Sequence, residues 1–168
     1  MNKDNPQGRF QLFEKPSETT CSTLKKKRMT KLDPKWITGF VDGEGCFFVG
    51  INKHPEMTAG YQVLPEFVVV QHKNDVQILY ALKNYFKCGV IRVSFENHMA
   101  YRVRGIKHIT DVIIPFFEKN DLKTKKKVDF LKFRKIIQLI NKKEHLSKEG
   151  IEKIKEIAFQ MNTKSRKV

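Results

Sequence analysis

The alternation of apolar and polar positions divides most of the chain into helices and strands. Asp33 followed by Pro34 is a favoured helix start, because an aspartate side chain caps the first turn and proline suits its first position. Elsewhere, apolar residues three and four apart indicate helices, and alternating or valine-rich runs indicate strands. The predicted elements are a helix over 34–45, strands over 46–53 and 61–72, a helix over 75–86, strands over 90–95 and 99–104, and helices over 106–117, 123–140 and 148–161.

This order of elements predicts an α+β fold with an antiparallel sheet. The pattern reads α-β-β-α-β-β-α, followed by two further helices, and Pro115 is expected to bend or end the helix over 106–117. We assign residues 1–32 to a basic, irregular arm, residues 33–162 to one domain and residues 163–168 to a basic tail.

One face of the predicted sheet carries arginines. If Phe47 packs inward, then Phe48 and its alternate neighbours face outward, together with Arg92 and Ser94 on the second hairpin and Arg102 on its return strand. Such a face suits a DNA major groove, where arginine reads guanine and asparagine or glutamine reads adenine. Its apolar members contact thymine methyl groups, or the register differs by one residue. A solvated edge strand also explains the arginines.

Net charge favours a polyanionic partner. The chain has 33 basic and 18 acidic residues, for a formal charge of +15. Nucleic acid is the usual partner of such a surface, although a merely soluble basic protein or a ribosome-associated protein has the same composition. Charge does not separate DNA from RNA. The basic run over 25–28 either contacts phosphates or forms a solvated tail.

Cysteine and histidine spacing excludes the common zinc sites. The three cysteines have no C-x-x-C spacing, and the five histidines follow no zinc pattern. We therefore expect reduced, structural cysteines in an intracellular protein, without separating a prokaryotic cytoplasm from an organelle. No apolar run approaches the roughly 20 residues that a membrane span needs, so no membrane partner is expected.

The nonapeptide over 37–45, I-T-G-F-V-D-G-E-G, carries the candidate chemistry. Gly39 and Gly43 are four residues apart, a spacing that lets two helix backbones approach closely. Asp42 and Glu44 follow at the end of the helix, and carboxylate oxygens are hard ligands that suit divalent metal ions. An ordinary amphipathic helix with a glycine C-cap is the alternative interpretation.

Two segments together resemble the LAGLIDADG family of homing endonucleases. The nonapeptide resembles the LAGLIDADG motif, with Thr38 in place of the usual alanine and Glu44 in place of the commoner aspartate. The segment over 122–130, L-K-T-K-K-K-V-D-F, resembles the family's second signature, L-K-T-K-K-x-x-D-F. The resemblance covers residues 34–142 and implies the family's α-β-β-α-β-β-α core. Members with a single motif form homodimers, so it also implies a homodimer.

The resemblance implies a set of catalytic residues. Glu44, Gln71 and Lys125 match the family's catalytic positions: the metal-binding acid, the residue that positions water, and the lysine beside the scissile phosphate. Lys123 or Lys126 can take the lysine's role, and Asp42 is expected to support the helix end. The implied metal site consists of Glu44 and Gly43. Mg²⁺ is the implied cofactor, with Mn²⁺ substituting and Ca²⁺ supporting binding without efficient cleavage.

The resemblance also implies two contact surfaces. The expected dimer interface consists of Trp36, Gly39, Phe40 and Gly43. The expected contacts with double-stranded DNA are Phe48, Gly50, Asn52, Gln62, Glu66, Val68, Val70, His72, Arg92, Ser94, Arg102, Arg104, Lys123 and Lys126.

The expected function is site-specific cleavage of DNA. The resemblance implies metal-dependent double-strand breaks with short 3′ overhangs, in a long pseudo-palindromic target, which promote the mobility of an intron. An RNA-binding intron maturase is the alternative on the same fold, and a transcriptional regulator is a third. The intact acid, glutamine and lysine favour the nuclease, because RNA binding does not require them.

Overall fold

A computed structural model describes residues 31–162. The basic run over 25–28, almost all of the arm assigned to 1–32 and the tail over 163–168 lie outside the described residues. Within the described range, six α-helices and four strands follow the predicted order. They are α1 (Pro34–Glu44), β1 (Gly45–Lys53), β2 (Tyr61–His72), α2 (Val76–Phe86), β3 (Val90–Phe95), β4 (His98–Val103), α3 (Ile106–His108), α4 (Ile114–Lys119), α5 (Lys126–Asn141) and α6 (Lys148–Phe159).

The four strands form one antiparallel sheet in the order β1-β2-β4-β3. The central strands β2 and β4 come from different hairpins, and they pair from Phe67 opposite Val103 to His72 opposite His98. This architecture confirms the predicted α+β class and the antiparallel sheet. It also brings the end of β2 and the start of β4 to the sheet edge at which β1 begins.

Strand alternation has the predicted phase. Phe47 and Phe67 are fully buried and pair across β1 and β2, whereas Phe48 is 48% exposed. A shift by one residue is therefore ruled out for this hairpin, and apolar residues do lie on the outer face. On β3 the regular alternation that was predicted through Ser94 is interrupted. A register shift between Val93 and Phe95 interrupts the alternation, so Phe95 rather than Ser94 pairs with β4.

The core lies between the inner face of the sheet and the helices. The ring of Phe47 packs against four other phenylalanines, with ring centroids 5.3–5.5 Å apart. These neighbours are Phe67, Phe117, Phe130 and Phe133. Aromatic rings in edge-to-face and tilted contact add to the stabilisation from burial alone. The helices therefore cover one face of the sheet and leave the other face open.

Two helix predictions need correction. The helix over 106–117 does not end near Pro115: it continues to Lys119, and a π-helical turn over Ile109–Ile113 precedes the proline. Proline has no N–H to donate and its ring crowds the preceding turn, which a wider turn relieves. The helix predicted from residue 123 begins at Lys126, because loop groups before it bind another element. Ser147 caps α6 as predicted, accepting from the Gly150 N–H at 3.0 Å.

The end of α6 is attached to the core by side-chain hydrogen bonds. The Asn162 backbone N–H donates to the buried Asp129 carboxylate at 3.2 Å, and the Asn162 side chain donates to the Phe47 carbonyl at 2.9 Å. These bonds join the segment after α6 to α5 and to β1. The C-terminal helix is thus part of the same packed unit as the sheet.

Candidate active site and nucleic-acid interface

Helix α1 has one face in the core and one face exposed. Ile37 and Val41 are fully buried, whereas Trp36 is 43% exposed and stacks on Phe40 with ring centroids 4.8 Å apart. Gly39 lies on the exposed side with them. Positions 36, 39 and 43 are exposed and position 40 is half-buried, and the four follow the spacing of a single helix face. All four residues predicted for a dimer interface therefore lie on one face.

The two glycines of this face have no packing requirement within the described residues. A Cβ atom added to Gly39 or Gly43 would meet nothing within 4 Å. Glycine inside a helix costs about 0.5–1 kcal/mol relative to alanine. Neither the conformation nor the packing of the described chain explains why glycine is present at these two positions despite this cost. Glycines four residues apart let a second helix backbone approach closely, a geometry best documented in membranes but available to any pair of helices.

Gly45 is a different case, because there is no space for a side chain at this position. Its φ of −79° and ψ of 160° are extended rather than left-handed, so the alternative of a left-handed glycine C-cap does not apply. A Cβ atom there would lie 2.6 Å from Cγ1 and 2.9 Å from the carbonyl oxygen of Val41. The chain therefore turns directly from α1 into β1. This turn leaves Glu44 exposed at the last residue of the helix.

Asp42 holds the loop that precedes α5. Its carboxylate accepts from the Lys123 N–H at 2.7 Å, the Thr124 N–H at 3.3 Å and the Thr124 hydroxyl at 2.9 Å. This structural role matches the expectation that Asp42 supports the helix end. It also explains why α5 starts late, because the loop is held by α1. Lys125, the next residue along the loop, is exposed at the N-cap position of α5.

Lys126 lies at the C-terminal end of α1. Its ammonium group donates to the carbonyl of Gly45 and contacts the carbonyl of Gly43 at 3.5 Å. A cation at this position offsets the negative end of the helix dipole, which otherwise disfavours the Glu44 carboxylate. Lys126 is therefore bound to the helix end, while Lys123 is exposed and contributes its backbone N–H to Asp42.

Gln71 lies at the same edge of the sheet. Gly45 pairs with Val69, so Gln71 is two residues further along β2, beside the point where α1 ends. It pairs with Met99 of β4 and is half-buried. The fold thus brings the three predicted catalytic residues from α1, β2 and the loop before α5 to one edge.

The outer face of the sheet is arranged in rows across the strands. Cys46, Val68, Arg102 and Val90 pair in one row, and Phe48 pairs with Glu66 in the next. The other rows are Val70, Ala100 and Arg92; His72, His98 and Phe95; Gly50 and Leu64; and Asn52 and Gln62. The predicted DNA-facing residues of β1 and β2 therefore share one face, and Arg92 and Arg102 lie on it as well.

Glu66 has an environment that the sequence did not reveal. Its carboxylate is the acceptor of Arg102 Nη1 at 3.1 and 3.2 Å, and of Arg104 Nε at 2.9 Å. The Glu66 side chain is 8% exposed, whereas those of Arg102 and Arg104 are 27% and 65% exposed. The carboxylate predicted to contact DNA is therefore covered by the two arginines. We call these three residues the Arg–Glu–Arg triad.

A groove of about 580 Å³ lies beside the triad. Its lining includes Arg92, Arg102, Arg104 and His108. Guanidinium groups in a concave surface can bind phosphate oxygens or the acceptor edge of guanine. The outer face of the sheet therefore combines a basic groove with exposed aromatic and aliphatic side chains.

The oxygen atoms near the end of α1 are suitable for a hard divalent cation. Glu44 offers a carboxylate and Gly43 a carbonyl, and the Lys126 ammonium at this carbonyl shows that the helix end attracts positive charge. Mg²⁺ is commonly bound by one or two carboxylates with substrate phosphates and water. Within residues 31–162, no group of three or more His, Cys, Asp or Glu side chains could hold a metal ion. Burial raises the pKa of the neighbouring Cys46 thiol, which keeps it protonated.

Two of these arrangements were not predicted. The Asp42 bonds to the loop depend on packing between α1 and a segment far along the chain, and no local pattern signals them. The triad depends on the register between β2 and β4, which belong to different hairpins. The opposite charges at position 66 and at positions 102 and 104 were the only signal. Of the helices in the described part of the chain, none is both long and apolar enough to span a membrane.

Comparison with known proteins identifies close relatives. A family model described as LAGLIDADG endonuclease matches residues 37–137. An uncharacterized 50.9 kDa protein in ND4 intron 1 of Podospora anserina is 37% identical over 132 residues, 77% of this chain and 29% of that protein. Probable intron-encoded endonuclease 2 of Neurospora crassa is 33% identical over 149 residues, 88% of this chain and 32% of that protein. The chain spans less than a third of either relative.

Solved structures share the fold over most of the described residues. The crystal structure of a homing endonuclease, I-TnaI, is 52% identical with a TM-score of 0.77, covering 79% of this chain and 90% of that chain. The structure of I-SmaMI bound to uncleaved DNA target in the presence of calcium ions is 36% identical with a TM-score of 0.78. That match covers 79% of this chain and 46% of the I-SmaMI chain.

Proposed function

We propose that this chain, which belongs to the LAGLIDADG endonuclease family, is a homing endonuclease that makes site-specific double-strand breaks in DNA. One observation carries this proposal: the end of α1, the end of β2 and the start of α5 bring Glu44, Gln71 and Lys125 to one edge of an arginine-bearing sheet. An acid, an amide and a cation at that edge can supply metal binding, orientation of water and stabilisation of charge in the hydrolysis of a phosphodiester.

Each of these residues has a distinct role in the proposal. Glu44, with the carbonyl of Gly43, would hold Mg²⁺, which would supply activation of water and stabilisation of charge on the phosphate oxygens. Gln71 orients the attacking water through its amide. Lys125 stabilises the negative charge that develops on the phosphate. Asp42 keeps the lysine loop in place and takes no part in the chemistry.

The choice of metal follows from the donor atoms. Carboxylate and carbonyl oxygens favour Mg²⁺, and Mn²⁺ accepts the same ligands. Ca²⁺ prefers more ligands at longer distances, so we propose that it supports DNA binding without efficient cleavage. The structure of the relative I-SmaMI with uncleaved DNA in the presence of calcium ions is consistent with this division.

We further propose a homodimer formed through the exposed face of α1. Trp36 and Phe40 supply apolar surface, and Gly39 and Gly43 leave room for a second backbone. This pairing places the two Glu44 residues close to the two-fold axis, where they can share bound metal.

The two-fold symmetry of the proposed dimer and the names of the relatives indicate what kind of DNA target to expect. A two-fold dimer recognises a pseudo-palindromic site, and two sheets end to end cover a long one. We propose short 3′ overhangs and a role in intron mobility, which the names of intron-encoded relatives support.

Cleavage of the joined exons of the host gene tests the nuclease. Wild type with Mg²⁺ should produce double-strand breaks, and Glu44→Gln should bind the same duplex without cutting it. Glu118→Gln is the matched control, because it makes the same charge change at an exposed helix residue. Normal cleavage by Glu44→Gln would refute its role. Tight binding to intron RNA with no DNA cleavage would instead support the maturase.

Sedimentation of single variants tests the dimer. Gly39→Leu should convert the protein to a monomer with unchanged helical circular dichroism and lost cleavage, because the added side chain fills the space of the second helix. Gln77→Leu, an exposed position on α2, is the control and should leave the dimer intact. A dimeric Gly39→Leu variant would contradict the proposed interface.

A further inference from the structure

The Arg–Glu–Arg triad is built around a single buried carboxylate. Arg104 approaches Glu66 with its fork, through Nε at 2.9 Å and Nη2 at 3.5 Å. Arg102 uses only Nη1, which bonds both carboxylate oxygens. Charge-assisted bonds of this kind fix the plane of a guanidinium group, which otherwise samples many rotamers.

The shared carboxylate also sets the spacing of the two arginines. Arg102 and Arg104 are two residues apart along the chain, which in a strand separates their Cα atoms by about 6.8 Å. Both guanidinium groups nonetheless reach the oxygens of Glu66. The two cationic groups are therefore drawn together over one point of the outer face, in the wall of the groove that also includes Arg92.

We propose that Glu66 is a positioning residue for sequence recognition, which holds Arg102 and Arg104 as one preformed unit for reading guanine in a DNA duplex. The inference rests on the proposed function, because it assumes that the outer face of the sheet binds DNA. Glu66 is nearly covered and touches no base. Nε and Nη2 of Arg102 take no part in its bonds to Glu66. The N–H groups on these two nitrogens are donors suited to the O6 and N7 acceptors of guanine.

Stability alone does not account for this arrangement. Glu66 has an apolar partner, Phe48, across the sheet, and an apolar residue at position 66 would pack there without any need for arginine. Buried ion pairs are often no more stabilising than apolar replacements of similar size, and their best-attested use is to select one arrangement. In this protein the selected arrangement is the orientation of two arginines on the open face.

The charge of Glu66 gives the proposal a distinctive consequence. A carboxylate beneath the arginines weakens their attraction to phosphate, which is the sequence-independent part of DNA binding. Replacing it with glutamine releases the two guanidinium groups and raises the net charge by one. Selectivity and general affinity should therefore change in opposite directions.

Selection from a pool of random 30-base-pair duplexes in Ca²⁺ measures both quantities. Bound duplexes are sequenced for wild type, Glu66→Gln and the control Glu118→Gln, and affinity for the unselected pool is measured at several salt concentrations. Wild type should enrich guanine at symmetric positions. Glu66→Gln should lose about tenfold or more of this enrichment, the scale of a bidentate contact, while its affinity for the pool stays equal or rises. Glu118→Gln should retain the enrichment.

The outcomes separate the inference from the proposed function. Unchanged guanine enrichment in Glu66→Gln would overturn the inference while leaving the nuclease intact. Parallel loss of enrichment and of pool affinity, with circular dichroism unchanged from wild type, would also overturn it, because the carboxylate would then support DNA binding as a whole rather than the choice of base. A wild type without sequence preference would overturn the proposed function and the inference together.

A second variant tests the inference even if Glu66→Gln fails to fold. Arg102→Lys keeps the positive charge but lacks the planar fork. It should preserve affinity for the pool and lose guanine enrichment at one position in each half-site. Retention of the full wild-type preference by Arg102→Lys would overturn the inference.

Discussion

The two acids of the α1 motif should respond differently to the same chemical change. Asp42→Asn and Glu44→Gln each remove one negative charge with little change in shape. Asp42 accepts three hydrogen bonds from Lys123 and Thr124, at 2.7–3.3 Å, whereas Glu44 lies exposed at the helix end. We therefore expect a loss of stability from the first substitution and a loss of chemistry from the second.

The contacts set the size of the effect at Asp42. Asparagine keeps one acceptor oxygen and presents an NH₂ group to the donors of the loop, so one or two of the three bonds are lost. At about 1 kcal/mol for each bond, Asp42→Asn should lower the free energy of unfolding by about 1–2 kcal/mol. The loosened loop moves Lys125, and a displacement of about 1 Å can lower a rate about 100-fold.

For Glu44, the expected change in the free energy of unfolding has the opposite sign. A carboxylate at the C-terminal end of a helix is unfavourable by about 0.3–1 kcal/mol, and Lys126 already offsets part of this cost. Glu44→Gln should therefore leave the free energy of unfolding unchanged or slightly raised, while cleavage is lost.

Thermal and urea unfolding, combined with cleavage assays, test this division. For a chain of this size, 1 kcal/mol corresponds to about 2–4 °C in Tm. Asp111→Asn, an exposed aspartate in the π-helical turn, controls for the loss of an acidic charge. Wild-type stability in Asp42→Asn would show that the loop does not depend on Asp42. Equal destabilisation by Asp42→Asn and Glu44→Gln would refute the reasoning.

Three further predictions concern packing and burial. Gly45→Ala should lower the free energy of unfolding by about 1–3 kcal/mol, because its Cβ atom would lie 2.6 Å from Val41 Cγ1; unchanged urea unfolding would contradict this. Tyr101→Phe should cost about 1 kcal/mol, since the Tyr101 hydroxyl donates to the carbonyl of Cys88 at 3.0 Å; equal Tm values would show that the bond contributes nothing. Burial raises the pKa of the Cys46 thiol, so less reactive thiolate is present at neutral pH, and mass spectrometry should find slower alkylation by iodoacetamide in native than in urea-unfolded protein; equal rates would refute this.

The strands and their faces could be predicted because their signal is local. A period of two between Phe47 and Phe48 fixes which side chains enter the core, and the bounds of β2 and β3 were predicted correctly. The start of α5 was misplaced because the lysine-rich loop is helical in pattern, while its backbone donors bind Asp42 instead. Propensity alone contains no information about that distant acceptor.

On the outer face of the sheet, the sequence was likewise insufficient to predict the contacts between side chains. The sequence indicated which residues face outward on β1 and β2, but it gave Glu66 the same status as Phe48. Only the pairing of two separate hairpins shows that Glu66 is covered by Arg102 and Arg104. No glycine or proline marks the register shift at Ser94 in the sequence, so simple alternation did not predict this shift.

Helix α1 joins the exposed interface face and the catalytic acid in one rigid rod. Its 11 residues span about 16 Å at the usual rise, and Glu44 is the last of them. In the proposed dimer, the angle at which two such rods cross determines how far apart the two acids lie, and hence how many nucleotides separate the two cuts. The length of the overhang is therefore a measurement of helix packing. A substitution at the crossing point that leaves every catalytic group in place should be detectable as a change in the ends of the DNA product.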